Sequence, residues 1–179
     1  MYQGNNPKAL LSAKLLSEAL IQEMSRQKYE DITIKDICKA GDISRQTFYN
    51  FFTSKDELLR QCIDGIFSEI MDQRNEQGFI DATTSISIFV RTFYKNKSFT
   101  DLIIKNKLEM VLVEQFMSAI STLTKMSKYN DTIPRVDYHL AFYSGGLAQI
   151  LFHWCKDPDR IVLDELIKIL SESINLPYF

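Results

Sequence analysis

Between Thr33 and Leu59 the chain places three helix starts within under thirty residues, and this constrains its fold more than any other stretch. Thr33 precedes an apolar pair, Ile34 and Ile37. Asp36 stands three residues on, the spacing of a capping box. Ile34, Ile37 and Cys38 fall on one helical face. Gly41 and Asp42 suit an exit through left-handed backbone, with Gly the natural residue for it. Ser44 then caps a second helix over Arg45 to about Phe51. Ser54 caps a third, with Glu57 at the reciprocal position. Two short helices joined by a Gly-containing turn form a helix-turn-helix, expected here over about residues 33–52.

The second of these helices has two unlike faces. Phe48, Phe51 and Phe52 supply apolar bulk, whereas Arg45, Gln46, Thr47, Tyr49 and Asn50 supply donors and acceptors. Arg pairs bidentately with guanine, Gln with adenine, and a Thr methyl touches thymine's methyl. The N-terminal end of such a helix is the part that reaches base edges. Tyr49 and Lys55 suit phosphates, and the helix start at Ser54 offers N–H groups to an anion. Capping and periodicity alone leave a plain reading equally open, in which three short solvated helices pack on each other and touch nothing.

The run Thr33-x-x-x-Ile37, Ile43-Ser44-x-x-Thr47-Phe48-Tyr49-x-x-Phe52 and Lys55-Asp56-Glu57-Leu58-Leu59 resembles the DNA-binding domain of the TetR family of bacterial transcriptional regulators. The resemblance covers roughly residues 8–64. It implies an all-helical homodimer, with three N-terminal helices for DNA and about six more for effector binding and dimerisation. It places Thr33 and Lys35 near the DNA backbone, turns Ser44, Arg45, Gln46 and Thr47 toward the groove, and assigns phosphates to Tyr49 and Lys55. Two positions depart from the family pattern. Asp42 stands where Gly is frequent, and so does Gln46. The first brings a negative charge near DNA and the second adds a candidate base reader. The Arg45-to-Asn50 run is similar to a subset that includes coactivator-like regulators of dihydroxyacetone kinase operons.

The expected organisation is a DNA-binding domain over residues 1–53 and a helical effector-binding and dimerisation domain over residues 54–179. An apolar stripe at Ala9, Ala13, Leu16, Leu20 and Met24 marks the first helix. Leu58, Cys62, Ile66 and Ile70 mark a long one from Ser54 to about Asn75. Breaks are expected at Gln77-Gly78, Asn96-Lys97-Ser98, Lys105-Asn106 and Tyr129 to Pro134. Asp157-Pro158 supplies a cap and a first-turn proline for a last helix to about Ser173. No strand alternation, repeat or low-complexity segment is visible.

The net charge is -2, which does not advertise a nucleic-acid binder. Residues 1–60 nevertheless carry nine Lys and Arg against eight Asp and Glu, and the remainder carries twelve against fifteen. DNA affinity must therefore be local, from Lys8, Lys14, Lys35, Arg45 and Lys55. The 45% hydrophobic content suffices for a core. Three widely spaced cysteines read as reduced thiols of a cytoplasmic protein. No signal peptide or membrane span is expected.

The larger part carries no catalytic signature, so an enzyme is not expected. His139 and His153 are the two histidines. Fourteen residues apart on one helix, they stand about 21 Å apart and cannot share a metal within one chain. No cofactor is expected. Phe89, Phe93, Met110, Phe116, His139, Phe142 and Tyr143 fall on helices expected to face each other, and could line an apolar effector cavity. Plain core packing is the alternative for each of them. Gly145-Gly146 would leave room beside them or allow close helix approach. Leu147, Ile150, Leu151, Ile161, Leu163, Leu166, Ile167 and Leu170 give the last two helices a stripe for a four-helix dimer interface. The expected function is a dimeric regulator on a palindromic operator, most simply a ligand-responsive repressor. The alternative is a coactivator-like protein whose C-terminal domain binds a protein partner, and a filled core with an exposed apolar patch would favour it.

Overall fold

The structure, a computed structural model, describes residues 7–77, 81–126 and 135–173, and the chain is all-α there. Its elements are α1 (Pro7–Arg26), a single 3-10 turn (Tyr29–Asp31), α2 (Ile34–Ala40), α3 (Arg45–Phe51), α4 (Lys55–Gln77), α5 (Ala82–Lys95), α6 (Lys97–Lys105), α7 (Glu109–Met126), α8 (Val136–Lys156) and α9 (Leu163–Ser173). The expected breaks at Gly78 and at Tyr129 to Pro134 lie outside the described residues. Two compact units result, Met1–Asp64 and Gly65–Phe179. The division falls inside α4, eleven residues beyond the Thr53/Ser54 junction expected from the caps. The reason is packing: Leu58, Leu59 and Ile63, in the first turns of α4, are buried with the N-terminal unit.

The N-terminal unit is a three-helix cluster plus the head of α4. Leu16, Leu20 and Met24 of α1, Ile32, Ile37 of α2, Phe48 of α3, and Leu58 and Leu59 of α4 are all almost completely buried. The exit from α2 is a Schellman motif. Ile43 N–H donates to the Cys38 carbonyl at 2.9 Å, and Asp42 N–H donates to that of Lys39 at 3.4 Å. The left-handed residue is Asp42, with φ 51°, and not Gly41, whose φ is -88°. Gly41 is needed for a different reason. A Cβ there would stand 3.2 Å from the Leu15 carbonyl oxygen and 3.3 Å from the Ala19 Cβ. The turn rests directly on α1, so a methyl group would push the two helices apart.

In the C-terminal unit, Asp81 caps α5 by accepting from Thr84 N–H at 2.6 Å. Asn96 alone separates α5 from α6, a shorter linker than the three residues expected. The break after α6 repeats the α2 exit: Lys107 takes φ 58° and Leu108 N–H donates to the Ile103 carbonyl at 3.0 Å. The last helix begins at Leu163 rather than at Pro158. Asp157 turns its carboxylate to the Asp159 N–H at 2.9 Å, and the Trp154 indole N–H donates to the Ile161 carbonyl at 2.8 Å. These two bonds hold residues 157–161 against the end of α8, out of helical conformation. The three cysteines are free, and burial pushes the Cys62 thiol up to about 11.

Much of the apolar stripe of α9 packs within the chain. Leu166, Ile167 and Leu170 are buried within the chain, as is Leu151 of α8. Arg91 of α5 ties the start of α9 through Asp164 at 2.6 Å. Leu147, Ile150, Ile161 and Leu163 of the expected dimer stripe are half-buried, so the chain itself covers only part of that stripe.

Gly41→Ala should lower stability by about 1–3 kcal/mol, the usual cost of overpacking against backbone. Asp42→Gly should raise it by about 1 kcal/mol, because Gly takes positive φ freely. Urea denaturation of the two variants checks both signs, and equal effects would refute this division of labour in the turn.

Candidate nucleic-acid interface

Three caps set the N-terminal unit's polar surface. At α2, Asp36 N–H donates to Thr33 Oγ1 at 3.3 Å, while Thr33 N–H donates to Asp36 Oδ2 at 3.0 Å. The Thr33 hydroxyl closes the box by donating to the same carboxylate oxygen at 2.5 Å. At α3, Thr47 N–H donates to Ser44 Oγ at 3.0 Å, and the two hydroxyls share a 2.8 Å bond. At α4, Glu57 N–H donates to Ser54 Oγ at 3.2 Å. The Glu57 carboxylate reaches one residue further back than expected. It accepts from Thr53 N–H at 2.6 Å and from the Thr53 hydroxyl at 2.7 Å. These backbone and hydroxyl donors hold the carboxyls of Asp36 and Glu57 below their usual range.

The caps fix α3 and leave its reading face open. Phe48 is fully buried and meets Tyr49 edge-on at 5.6 Å and Phe52 at 5.8 Å. Arg45, Gln46, Tyr49 and Asn50 are exposed, and Thr47 is half-buried. Side chains of four different hydrogen-bonding kinds therefore stand together on one seven-residue helix. The Ser44 hydroxyl is spent on the cap, so its direct role is to set the helix start. Thr33 is placed likewise, at the N-terminus of α2 beside exposed Lys35.

Lys55 is the exception among the expected DNA contacts. Its ammonium donates to the carbonyls of Tyr29, Glu30 and Ile32 at 2.7, 3.0 and 2.8 Å. It also lies 4.7 Å from the Tyr29 ring centroid. A lysine has three donors, and all three are taken by backbone. The Lys-Asp-Glu-Leu pattern could not reveal this, because the acceptors are carbonyls of a turn more than twenty residues away.

The expected effector residues do not converge. Phe93 and Phe116 are each 1% exposed and stack at 5.3 Å. Phe89 meets them at 4.8 and 5.0 Å. Phe67 of α4, which the sequence reading did not include, completes the cluster at 5.8 Å from Phe93 and 5.0 Å from Phe116. These rings pack directly against one another. Met110 and Phe142 are 67% and 73% exposed, and His139 is exposed beside half-buried Tyr143. The cause is helical phase. Ser144, Ala148, Leu151 and Phe152 turn the inner face of α8 into the core. Tyr138, Phe142, Gln149 and His153 lie on its outer face. Among the described residues no group of three His, Cys, Asp or Glu is placed to hold a metal ion. No described helix is long and apolar enough to cross a membrane.

Residues 16–62 match the family described as bacterial regulatory proteins, tetR family. The N-terminal unit is a TetR-family helix-turn-helix domain. More particularly, the chain is 31% identical over 72 residues to the HTH-type dhaKLM operon transcriptional activator DhaS of Lactococcus lactis subsp. lactis. That match covers 40% of this chain and 38% of DhaS, so it spans about two fifths of the relative's length. In fold the likeness is nearly complete. Lin0861 from Listeria innocua superposes with a TM-score of 0.81 at 14% identity, covering 97% of this chain and 94% of its own. A TetR transcriptional regulator from Streptococcus agalactiae gives 0.66 at 16%, covering 93% and 95%.

Acid should loosen these caps. A carboxyl held low in the folded state adds stability above its unfolded pKa and loses it as pH falls through the folded value. The contributions of Asp36 and Glu57 should be complete at neutral pH and fade below about pH 4. The difference in thermal midpoint between the wild-type protein and Asp36→Asn should therefore close on acidification. A difference that widened toward low pH would contradict the assigned bonds.

Proposed function

We propose that this protein is a sequence-specific DNA-binding transcriptional regulator that acts as a homodimer on a palindromic operator in the cytoplasm. One observation carries the proposal: a capped seven-residue helix, anchored through fully buried Phe48, presents Arg45, Gln46, Thr47, Tyr49 and Asn50 together. The family match over the same residues supports it. Arg45 and Gln46 read base edges; Lys35 and Tyr49 bind phosphates; Ser44 and Thr33 set the two helix starts. Two such helices, held about one helical turn apart, read an inverted repeat.

The dimer surface in this proposal is the outer face of α8. Tyr138 and Phe142 are 65% and 73% exposed, an unusual state for aromatic residues of a monomer. A Cβ on Gly145 or on Gly146 would meet nothing within 4 Å. Bare backbone there lets a second helix approach closely, which offsets the roughly 1 kcal/mol that each glycine costs a helix.

A second reading concerns the signal. The aromatic cluster of Phe67, Phe89, Phe93 and Phe116 occupies the region where an effector cavity was expected. Rings packed on one another there, with Tyr138 and Phe142 exposed on α8, favour control by a protein partner over control by a small molecule. The similarity to DhaS, named as an activator, supports activation as the sign of control. Under this reading the regulator activates in complex with its partner. Without one it represses by occupying its operator.

Selection of duplexes from a random-sequence pool should enrich an inverted repeat with half-sites about ten base pairs apart. No enrichment over a control protein would overturn the proposal. Arg45→Ala should cost about 1–3 kcal/mol of discrimination at one position of the enriched site, read by competition against point variants of that site.

Gly146→Gln and Phe142→Ala should each shift the protein toward monomer in sedimentation velocity at micromolar concentration. A wild-type monomer under those conditions would refute the dimer.

A further inference from the structure

We infer that Lys55 serves DNA binding as a positioning residue, holding the turn that sets the start of α2, and does not pair with a phosphate. The inference rests on the DNA-binding function proposed above. Three carbonyls of one turn, those of Tyr29, Glu30 and Ile32, converge on its ammonium at 2.7–3.0 Å. The Tyr29 carbonyl also accepts the Ile32 N–H at 3.2 Å, so its second lone pair is the one that Lys55 takes. The negative ends of the three carbonyls make a site for a compact cation, and the Tyr29 ring face, 4.7 Å away, adds to it. A phosphate could bind Lys55 only by drawing its ammonium off one of these three carbonyls.

A second tie runs beside the first. Tyr29 is buried, and its hydroxyl donates to Asp56 Oδ1 at 2.6 Å. Residues 55 and 56 thus grip the turn from both sides, one by its backbone and one by its buried ring. Directly after the turn comes buried Ile32, then Thr33, the cap of α2. The clamp therefore fixes where the first N–H groups of α2 and exposed Lys35 stand relative to the head of α4. Both of these helix starts are candidates to face the DNA backbone. Displacing one against the other by a fraction of a turn would let only one of them meet its phosphate.

The two roles for Lys55 differ in a measurable way. A phosphate ligand contributes to counterion release, and its loss lowers the slope of log K against log salt by about one. A positioning residue lowers affinity with the slope unchanged, since no charge leaves the interface. The test uses the full chain and Lys55→Met, titrated over a range of salt with the inverted-repeat duplex that selection enriches. Amide hydrogen exchange of the free proteins is followed in parallel. The expected affinity loss is about tenfold at every salt concentration, with the slope of wild type. In the free protein the amides of Asp31 and Ile32, which donate to Lys28 and Tyr29 at 3.1 and 3.2 Å, should exchange about tenfold faster. Amides of α7 serve as the control and should not change.

Tyr29→Phe removes the second tie while keeping the ring. It gives a milder variant should Lys55→Met fail to fold, and it should speed the same amides without altering the slope. A slope lower by about one in Lys55→Met overturns the inference, whatever the exchange shows. Unchanged exchange of Asp31 and Ile32 in both variants overturns it too. If wild type binds no duplex at any salt, the proposed function falls, and the exchange result alone then decides whether the clamp exists.

Discussion

Two seven-residue helices carry the surface that would read DNA, and neither is long enough to be stable alone. Everything that surface does depends on what holds them. The grip is of three kinds. Buried side chains supply the energy: Ile37 anchors α2 and Phe48 anchors α3, with no measurable exposure for either. Caps supply direction, because the hydroxyls of Thr33 and Ser44 fix where each helix begins. The close approach of Gly41 to the α1 backbone supplies register, since it sets how near the turn can come. A polar surface of exposed Arg45, Gln46 and Asn50 costs the fold little, because the opposite side of the same helix is fully satisfied.

The C-terminal unit solves a different problem with the same chemistry. Its core is a cluster of four phenylalanines from three helices, with centroids 4.8–5.8 Å apart. Aromatic rings at such distances gain from edge-to-face geometry as well as from burial. Placing four of them together leaves α8 free to turn other aromatics outward. Tyr138 and Phe142 then form a surface rather than a core, and Ser144 is accommodated inside by donating to the Leu140 carbonyl at 2.6 Å. The polar group is inside and satisfied while apolar groups are outside, which is the arrangement expected of a helix with a partner on both sides.

How much of this the sequence carries depends on the range of the interaction. Caps act over three or four residues, so Thr33, Ser44 and Ser54 are legible from spacing alone. The helix-turn-helix was legible for the same reason. The αL position is left open between Gly41 and Asp42 by the sequence, and the contact of Gly41 with α1 accompanies the choice of Asp42. The start of α9 was misread because Asp157-Pro158 offers a good cap. The bond from Trp154 to Ile161 overrides it. The candidate effector residues divide between core and surface for a broader reason. Composition says that an aromatic residue will be buried, but the phase of α8 is set by Ala148, Leu151 and Phe152, and a single sequence does not say which stripe of an all-round apolar helix wins. Lys55 was the hardest of all. Its acceptors are backbone atoms, and these carry no residue identity for a motif to register.

The position of Lys55 also bears on how such a protein can find DNA. The N-terminal sixty residues have a nearly balanced charge. With Lys55 spent on its own backbone and Lys14 and Lys28 lying beside Glu18 and Glu30, at most six of the nine cations are left to neutralise phosphate, against eight carboxylates. Asp42, at the turn leading into α3, sets a further negative charge close by. Sequence-independent attraction is then weak, and such attraction is what retains a regulator on random DNA. Binding must draw instead on Arg45, Gln46 and their neighbours in the groove, each good bidentate pair contributing about 1–3 kcal/mol of discrimination. A weakly charged reader loses little affinity to the vast excess of wrong sites, because it has little there to lose. Doubling the reading helix in a dimer restores the total without adding non-specific charge. In this protein, selectivity would come from holding neutral donors rigidly, and that requirement explains why so much of the small N-terminal unit is devoted to fixing two short helices in place.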